Sequence, residues 1–248
     1  MEASATTAPG QPQLETFARR FRVIAYSRRF SFPNNSPSIP PHYSPWTDVD
    51  DLTALIRILG LHDVRIVGQS AGAFVALAFA LKHANMVHSL VLSEPPAHQL
   101  IRDTSDGETA YQNFIVMVMT PAADSFRKHD VQHAMEIFVN GMAAANRFDS
   151  LSAQARASII RNARSIEALA LSDDPFPTLD SKDISRLRVP TLVVTGENTI
   201  QIHKLVDQEL IRLLPNAKSA IISHAGHGSP RENPPAFNEA VLAFLTIH

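Results

Sequence analysis

Ser70 is the residue whose neighbours best equip it for chemistry. It is the centre of Gly68-Gln69-Ser70-Ala71-Gly72, between the apolar run Val64-Arg65-Ile66-Val67 and a proline-free, small-residue stretch over 71–81 that reads as a helix. A GxSxG placed between a strand and a helix is a nucleophile elbow: the serine is held in a strained turn, and its Oγ projects at the carboxyl edge of a sheet. The N–H of Ala71 opens the helix, where unpaired donors and the helix dipole favour a developing oxyanion. GxSxG alone is also common as an ordinary turn. The strand before it and the helix after it favour the catalytic reading.

The elements that must position this serine follow from periodicity. Residues 13–21 read as an amphipathic helix and 22–26 as a buried strand. The Pro-, Ser- and Asn-rich stretch 31–45 reads as a loop. Val49, Leu52, Leu55, Ile56 and Leu59 recur at helical spacing, with Thr47 or Asp48 as N-cap and Gly60 as the stop. Strands are predicted at 89–92, 190–194 and 219–222, and helices over 202–214 and from Pro234 or Pro235 to 245. Between 98 and 186 strand signals vanish and helical ones replace them, over 111–119, 131–145 and 152–171. Strands alternating with helices predict an α/β protein with a doubly wound, mostly parallel sheet. Residues 1–97 and 187–248 then form the core, and 98–186 an inserted helical cap.

Composition removes several classes. The 248 residues carry a net charge of -2 without a basic stripe, so no nucleic-acid or anionic-membrane partner is expected. The absence of cysteine excludes a thiol nucleophile, disulfides and zinc-thiolate sites. No HExxH pair occurs, and neither a metal nor an organic cofactor is expected. The start, MEASATTAPG, lacks the apolar core of a signal peptide, which makes a soluble, cytoplasmic protein the expectation. Composition leaves the oligomeric state open.

With "RVIAYSRRF", "DDLTALIRILGLHDVRIVGQSAGAFVAL", "SLVLSEPP", "VPTLVVTGEN" and "AGHGSPRENPPAFNEAVLAFL", the chain resembles the α/β-hydrolase fold superfamily, in its capped serine esterase branch. The resemblance implies a Ser, acid, His order along the chain. His227, after the last strand, then falls at the family's base position, with His224 as its rival. An imidazole there can take the serine proton and return it to the leaving group. The other histidines, including His83, His88 and His203, are read as surface or helix-end residues. Most relatives place the acid three residues after the glycine closing the penultimate strand, where this chain has Thr199. Others place it after the preceding strand, where Glu94 stands. Glu94 is therefore the expected acid and Glu197 the second choice.

The resemblance also exposes a gap. The family has further strands ahead of residue 13, one of them central, followed by a His-Gly loop that supplies a second oxyanion donor. No such sequence is present, and Pro9-Gly10 lies too close to the first helix to replace it. Either the strands of Val23 and Ile66 pair directly, or a slot between them is left with unpaired backbone groups. Loss of one oxyanion donor typically costs about a hundredfold to a thousandfold in turnover.

The expected activity is hydrolysis of carboxylic esters through an acyl-enzyme, with Ser70 as nucleophile, His227 as base, Glu94 as acid and the Ala71 N–H at the oxyanion. Phe114, Met117, Met119, Met135, Phe138 and Met142 in the cap point to a small or medium hydrophobic substrate, although such spacing equally serves a cap core. A serine nucleophile excludes a haloalkane dehalogenase. Lactone opening, C–C bond hydrolysis and perhydrolysis use the same groups, and a noncatalytic binding protein is the alternative from another class.

Overall fold

A computed structural model describes residues 2–5, 12–34, 38–40, 42–143 and 147–248. Among these, six strands form one parallel sheet: β1 (Glu2–Ala5), β2 (Val23–Ala25), β3 (Val64–Gln69), β4 (Val87–Ser93), β5 (Thr191–Gly196) and β6 (Ala217–Ile222), in the order β2-β1-β3-β4-β5-β6. Period-2 alternation gives each interior strand two apolar faces. Ile66, Leu90, Leu92 and Val193 join one core cluster, whereas Val67, Val91, Leu192, Val194 and Ile222 join the other. The first face is covered by α2 (Trp46–Ile58), α3 (Ala71–Lys82) and α11 (Gln201–Leu213). The second is covered by α1 (Pro12–Ala18) and α13 (Pro234–Ile247).

The expectation that β2 and β3 either pair directly or leave a vacant slot between them is corrected by β1. Ala3 pairs with Ile24 on one side and Ile66 on the other, all in parallel, so Glu2–Ala5 occupies the central slot. Its sequence, EASA, carries no strand-like apolar run. Pairing explains the strand better than propensity does, because β2 and β3 each present a row of backbone donors and acceptors that a third backbone between them satisfies. The stretch 6–11, which includes Pro9-Gly10, lies outside the described residues. The chain leaves β1 toward β2 on one side, while β3 lies on the other. The carboxyl ends of β1 and β3 thus flank the point where strand order reverses, the usual ligand crevice of such sheets.

Helix α2 begins earlier than its expected cap. Pro45 precedes it without a side-chain cap, and Asp48 is buried inside the first turn. Its carboxylate is engaged elsewhere, accepting from Arg28 Nη1 and Tyr43 Oη, each at 2.8 Å. The segment between β4 and β5 contains α4 (Ser105–Phe114), a π-helical turn (Ile115–Met119), α5 (Thr120–Arg127), α6 (Val131–Gly141), α7 (Arg147–Ser150), α8 (Ala153–Arg161), α9 (Ala163–Ala170) and α10 (Ser181–Arg186). The helix expected over 111–119 is present, but it widens into the π turn and runs on into α5, where Pro121 has no N–H to donate. The helix expected over 152–171 is divided at Asn162, which follows α8 and precedes α9. No described helix is long and apolar enough to cross a membrane.

Candidate active site

Ser70 stands between β3 and α3 with φ 54° and ψ −127°, a backbone conformation costing about 1–3 kcal/mol for a residue with a side chain. Three backbone hydrogen bonds hold the turn. Ser70 N donates to Ser93 O at 2.8 Å, and Ser70 O accepts from Ala73 N and Phe74 N, starting α3. Gly68 permits the close return of the chain, since a Cβ there would lie 2.5 Å from Gly72 O and 2.6 Å from Ala73 Cα. Ala71 is the first residue of α3, so its N–H has no intrahelical acceptor, and it borders the same cavity as Ser70.

Glu94 follows β4 directly, with φ 48° and no exposure to solvent. A buried carboxylate is costly unless its lone pairs are used. Here Oε1 accepts from Gly196 N at 2.7 Å, and Oε2 accepts from Thr199 Oγ1 and meets His227 Nδ1, each at 2.7 Å. Thr199, three residues after the glycine that closes β5, therefore serves Glu94 as a donor. Glu197 is engaged apart from this group, its Oε2 accepting from the backbone N of His224 at 2.8 Å. Each of the two candidate acids thus meets a different one of the two candidate histidines. Only Glu94 reaches an imidazole.

His227 lies in the loop after β6, and its backbone oxygen accepts from Gln69 Nε2 at 2.8 Å, which ties that loop to the elbow. Ser70 and His227 border one cavity of about 830 Å³. No hydrogen bond joins Ser70 Oγ to His227 among the described contacts, a looseness common in unliganded nucleophile and base pairs. Phe114, Met135, Phe138 and Met142 line the cavity as expected. Met117 instead is 69% exposed, and Met119 is buried in the core cluster.

His203 corrects the expectation of a helix-end or surface residue. It is fully buried, and its ring lies parallel to that of His227, with centroids 4.3 Å apart and planes at 15°. His98, also fully buried, packs against Phe176 with ring centroids 4.4 Å apart and planes tilted by 50°, and its ring lies 6.0 Å from that of His203. Burial, and then the charge on His227, push His98 down to about 3. The same causes, with His98 added, push His203 well below the usual histidine range. Both imidazoles are therefore neutral at neutral pH. Asp207, one turn after His203, accepts from Thr195 Oγ1 at 2.6 Å, yet burial raises its pKa well above the usual carboxylate range. In the sequence, His203 and Asp207 share the buried face of α11 at i and i+4, the one signal that could have marked them.

Glu94, His203 and His227 place potential metal-ligand atoms within 4.8 Å of one another. The geometry does not suit an ion. Imidazole lone pairs lie in the ring plane, so two nearly parallel stacked rings direct them side by side instead of toward one point. The Nδ1 of His227 is in addition committed to Glu94. The arrangement suits proton transfer: a buried carboxylate orients an imidazole whose other nitrogen is free for a hydroxyl at the cavity wall.

Comparison with known proteins agrees with this organisation. Residues 10–234 match the family model described as the alpha/beta hydrolase fold. A putative carbamate hydrolase, RutD, of Caulobacter sp. (strain K31) is 28% identical over 249 residues, which cover 95% of this chain and 84% of that protein. Among solved structures, a bromoperoxidase from Bacillus anthracis superposes with a TM-score of 0.73 at 21% identity, covering 99% of this chain and 91% of that one. A thermophilic esterase from Thermogutta terrifontis does so with a TM-score of 0.73 at 22% identity, over 100% and 90% of the two chains. With strand order, elbow and family model in agreement, the chain belongs to the α/β-hydrolase fold family, as one of its enzymes.

Proposed function

We propose that the protein hydrolyses carboxylic esters of small to medium hydrophobic substrates through an acyl-enzyme, with residues 98–186 acting as a cap over the site. Ser70 Oγ attacks the ester carbonyl carbon while His227 Nε2 takes its proton. The oxyanion draws on the Ala71 N–H, and Glu94 stabilises the imidazolium through Nδ1–H. Collapse of the tetrahedral intermediate expels the alcohol, which leaves with the proton held by His227. Water then attacks the acyl-enzyme and gives a proton to His227, and collapse of the second tetrahedral intermediate releases the acid while His227 returns that proton to Ser70 Oγ.

The observation that carries this reading is the 2.7 Å contact between Glu94 Oε2 and His227 Nδ1, beside a cavity that Ser70 also borders. The apolar side chains on the cap side of that cavity support a hydrophobic substrate. Fluorophosphonate labelling of Ser70, together with p-nitrophenyl acetate turnover, tests it. Both are expected in the wild type and absent in Ser70→Ala. Absence of both from the wild type would overturn the proposed ester hydrolysis.

A further inference from the structure

The charges around the cavity are unequal. Its described lining includes three arginines, Arg28, Arg147 and Arg231, and a single carboxylate, Glu232, in a chain whose net charge is -2. Two of the arginines are answered within the protein. Arg28 pairs with the buried Asp48 at 2.8 Å, which Tyr43 also contacts. Arg147 Nη2 lies 3.2 Å from Glu232 Oε1, and the other oxygen of Glu232 accepts from Gly226 N at 2.6 Å. Arg231 donates its backbone N–H to Gly228 O at 2.8 Å, but its guanidinium, which offers five donors, has neither a hydrogen bond nor an ion pair among the described residues. It lies in α12 (Ser229–Glu232), four residues beyond His227, and borders the cavity. Its side chain is exposed to solvent at the cavity rim, where partial desolvation lowers its pKa against the opposing pull of Glu232, and the charge of Arg147 adds a smaller lowering.

Counting Asp48 against Arg28 and Glu232 against Arg147 leaves one positive charge, that of Arg231. A planar fork with free donors matches a carboxylate, and one unanswered cation matches a monoanion better than a dianion. The same cavity is also lined by the apolar Phe114, Met135, Phe138 and Met142. A ligand that satisfies both kinds of lining has an apolar body and one anionic end.

We infer that the substrate carries a carboxylate remote from the reacting carbonyl, and that Arg231, beside Arg147, holds it. The site thus selects monoesters of dicarboxylic acids, or esters of comparable carboxylate-bearing acyl chains, over neutral esters of equal length. This rests on the proposed ester hydrolysis, which a separate binding measurement leaves out of the test.

The kinetic arm compares the mono-p-nitrophenyl ester of adipic acid with p-nitrophenyl hexanoate. The wild type should favour the adipate monoester in kcat/KM by about tenfold or more, the scale of a hydrogen-bonded charge contact. Arg231→Gln should abolish that preference through KM, and Arg231→Lys should keep part of it. The binding arm measures 4-phenylbutyrate and 4-phenylbutanamide by calorimetry on Ser70→Ala, with and without Arg231→Gln. Tighter binding of the carboxylate, lost in the double variant, is expected.

If neither ester is hydrolysed but carboxylate binding depends on Arg231, ester hydrolysis fails and the carboxylate site stands. If esters are hydrolysed while preference and binding ignore Arg231→Gln, the carboxylate site is overturned and hydrolysis stands. Carboxylate binding that persists undiminished without Arg231, as it would at the oxyanion position, also overturns the inference.

Discussion

The ring of His203 lies parallel to the ring of His227, with centroids 4.3 Å apart, while Glu94 holds the latter by its Nδ1. Because burial keeps His203 neutral, it presents an aromatic face, and not a competing charge, to the imidazole proposed above to receive the serine proton. An aromatic face attracts a cation by about 0.5–2 kcal/mol, an interaction made only once His227 is protonated. His203→Leu is expected to lower kcat by about three- to thirtyfold with little change in KM, and His203→Phe to restore most of the loss. Equal losses in both variants, measured by steady-state kinetics, would assign His203 a purely structural role.

Glu94→Gln keeps an acceptor for Gly196 N but presents an amide where His227 needs a carboxylate. The wrong tautomer results, so kcat should fall by about a thousandfold to ten-thousandfold. Glu197→Gln preserves an oxygen for His224 N, and turnover of a p-nitrophenyl ester should stay within a few fold of wild type. The reverse pattern would transfer the acid's role to Glu197.

Gly196 closes β5 against the loop that carries His227. A Cβ there would meet Gly226 O at 2.3 Å and Ala225 O at 2.7 Å, both backbone atoms that cannot swing aside. Gly196→Ala must therefore displace the histidine loop. Misplacement by about 1 Å costs on the order of a hundredfold in rate, and overpacking about 1–3 kcal/mol. Kinetics and thermal melting should both record the change, with kcat falling further than stability alone explains.

Acid should unfold the protein through its buried imidazoles. His98 has a folded pKa of about 3, below the ordinary value of 6.5, so its contribution is complete above pH 6.5 and is lost as pH falls toward 3. The slope is about 1.4 kcal/mol per pH unit, and His203 acts in the same direction. Asp207 acts oppositely: its folded pKa is raised, so its contribution is complete below the ordinary 3.8 and is lost as pH rises through the folded value. Urea denaturation at pH 7 and pH 5 should show a smaller stability difference in His98→Phe than in wild type. Asp207→Asn, which removes the opposing group, should show a larger one.

Much of the framework was legible because it depends on short-range patterns. Apolar runs marked β3 to β6, and the fully apolar stretch after Ser70 became the buried helix α3. The strand, GxSxG and helix order placed Ser70 without reference to distant residues. Element ends were less legible, since Asp48 has the side chain of a cap but is claimed by Arg28, twenty residues away. The central strand was illegible for a related reason. Glu2–Ala5 has no apolar pattern, and its strand conformation follows from the two neighbours that hydrogen-bond it.

By itself, then, the amino-acid order determined where Ser70 stands at its turn and which groups were candidates to serve it, because an elbow and its helix are local. Only the tertiary structure decided which carboxylate meets which imidazole, since Glu94 and His227 are 133 residues apart and converge through the order of β4, β5 and β6. It alone placed His203 behind His227 and left Arg231 unanswered at the cavity wall. Burial and pairing at long range arise from how the sheet is assembled, and neither period 2 nor period 3.6 encodes that assembly.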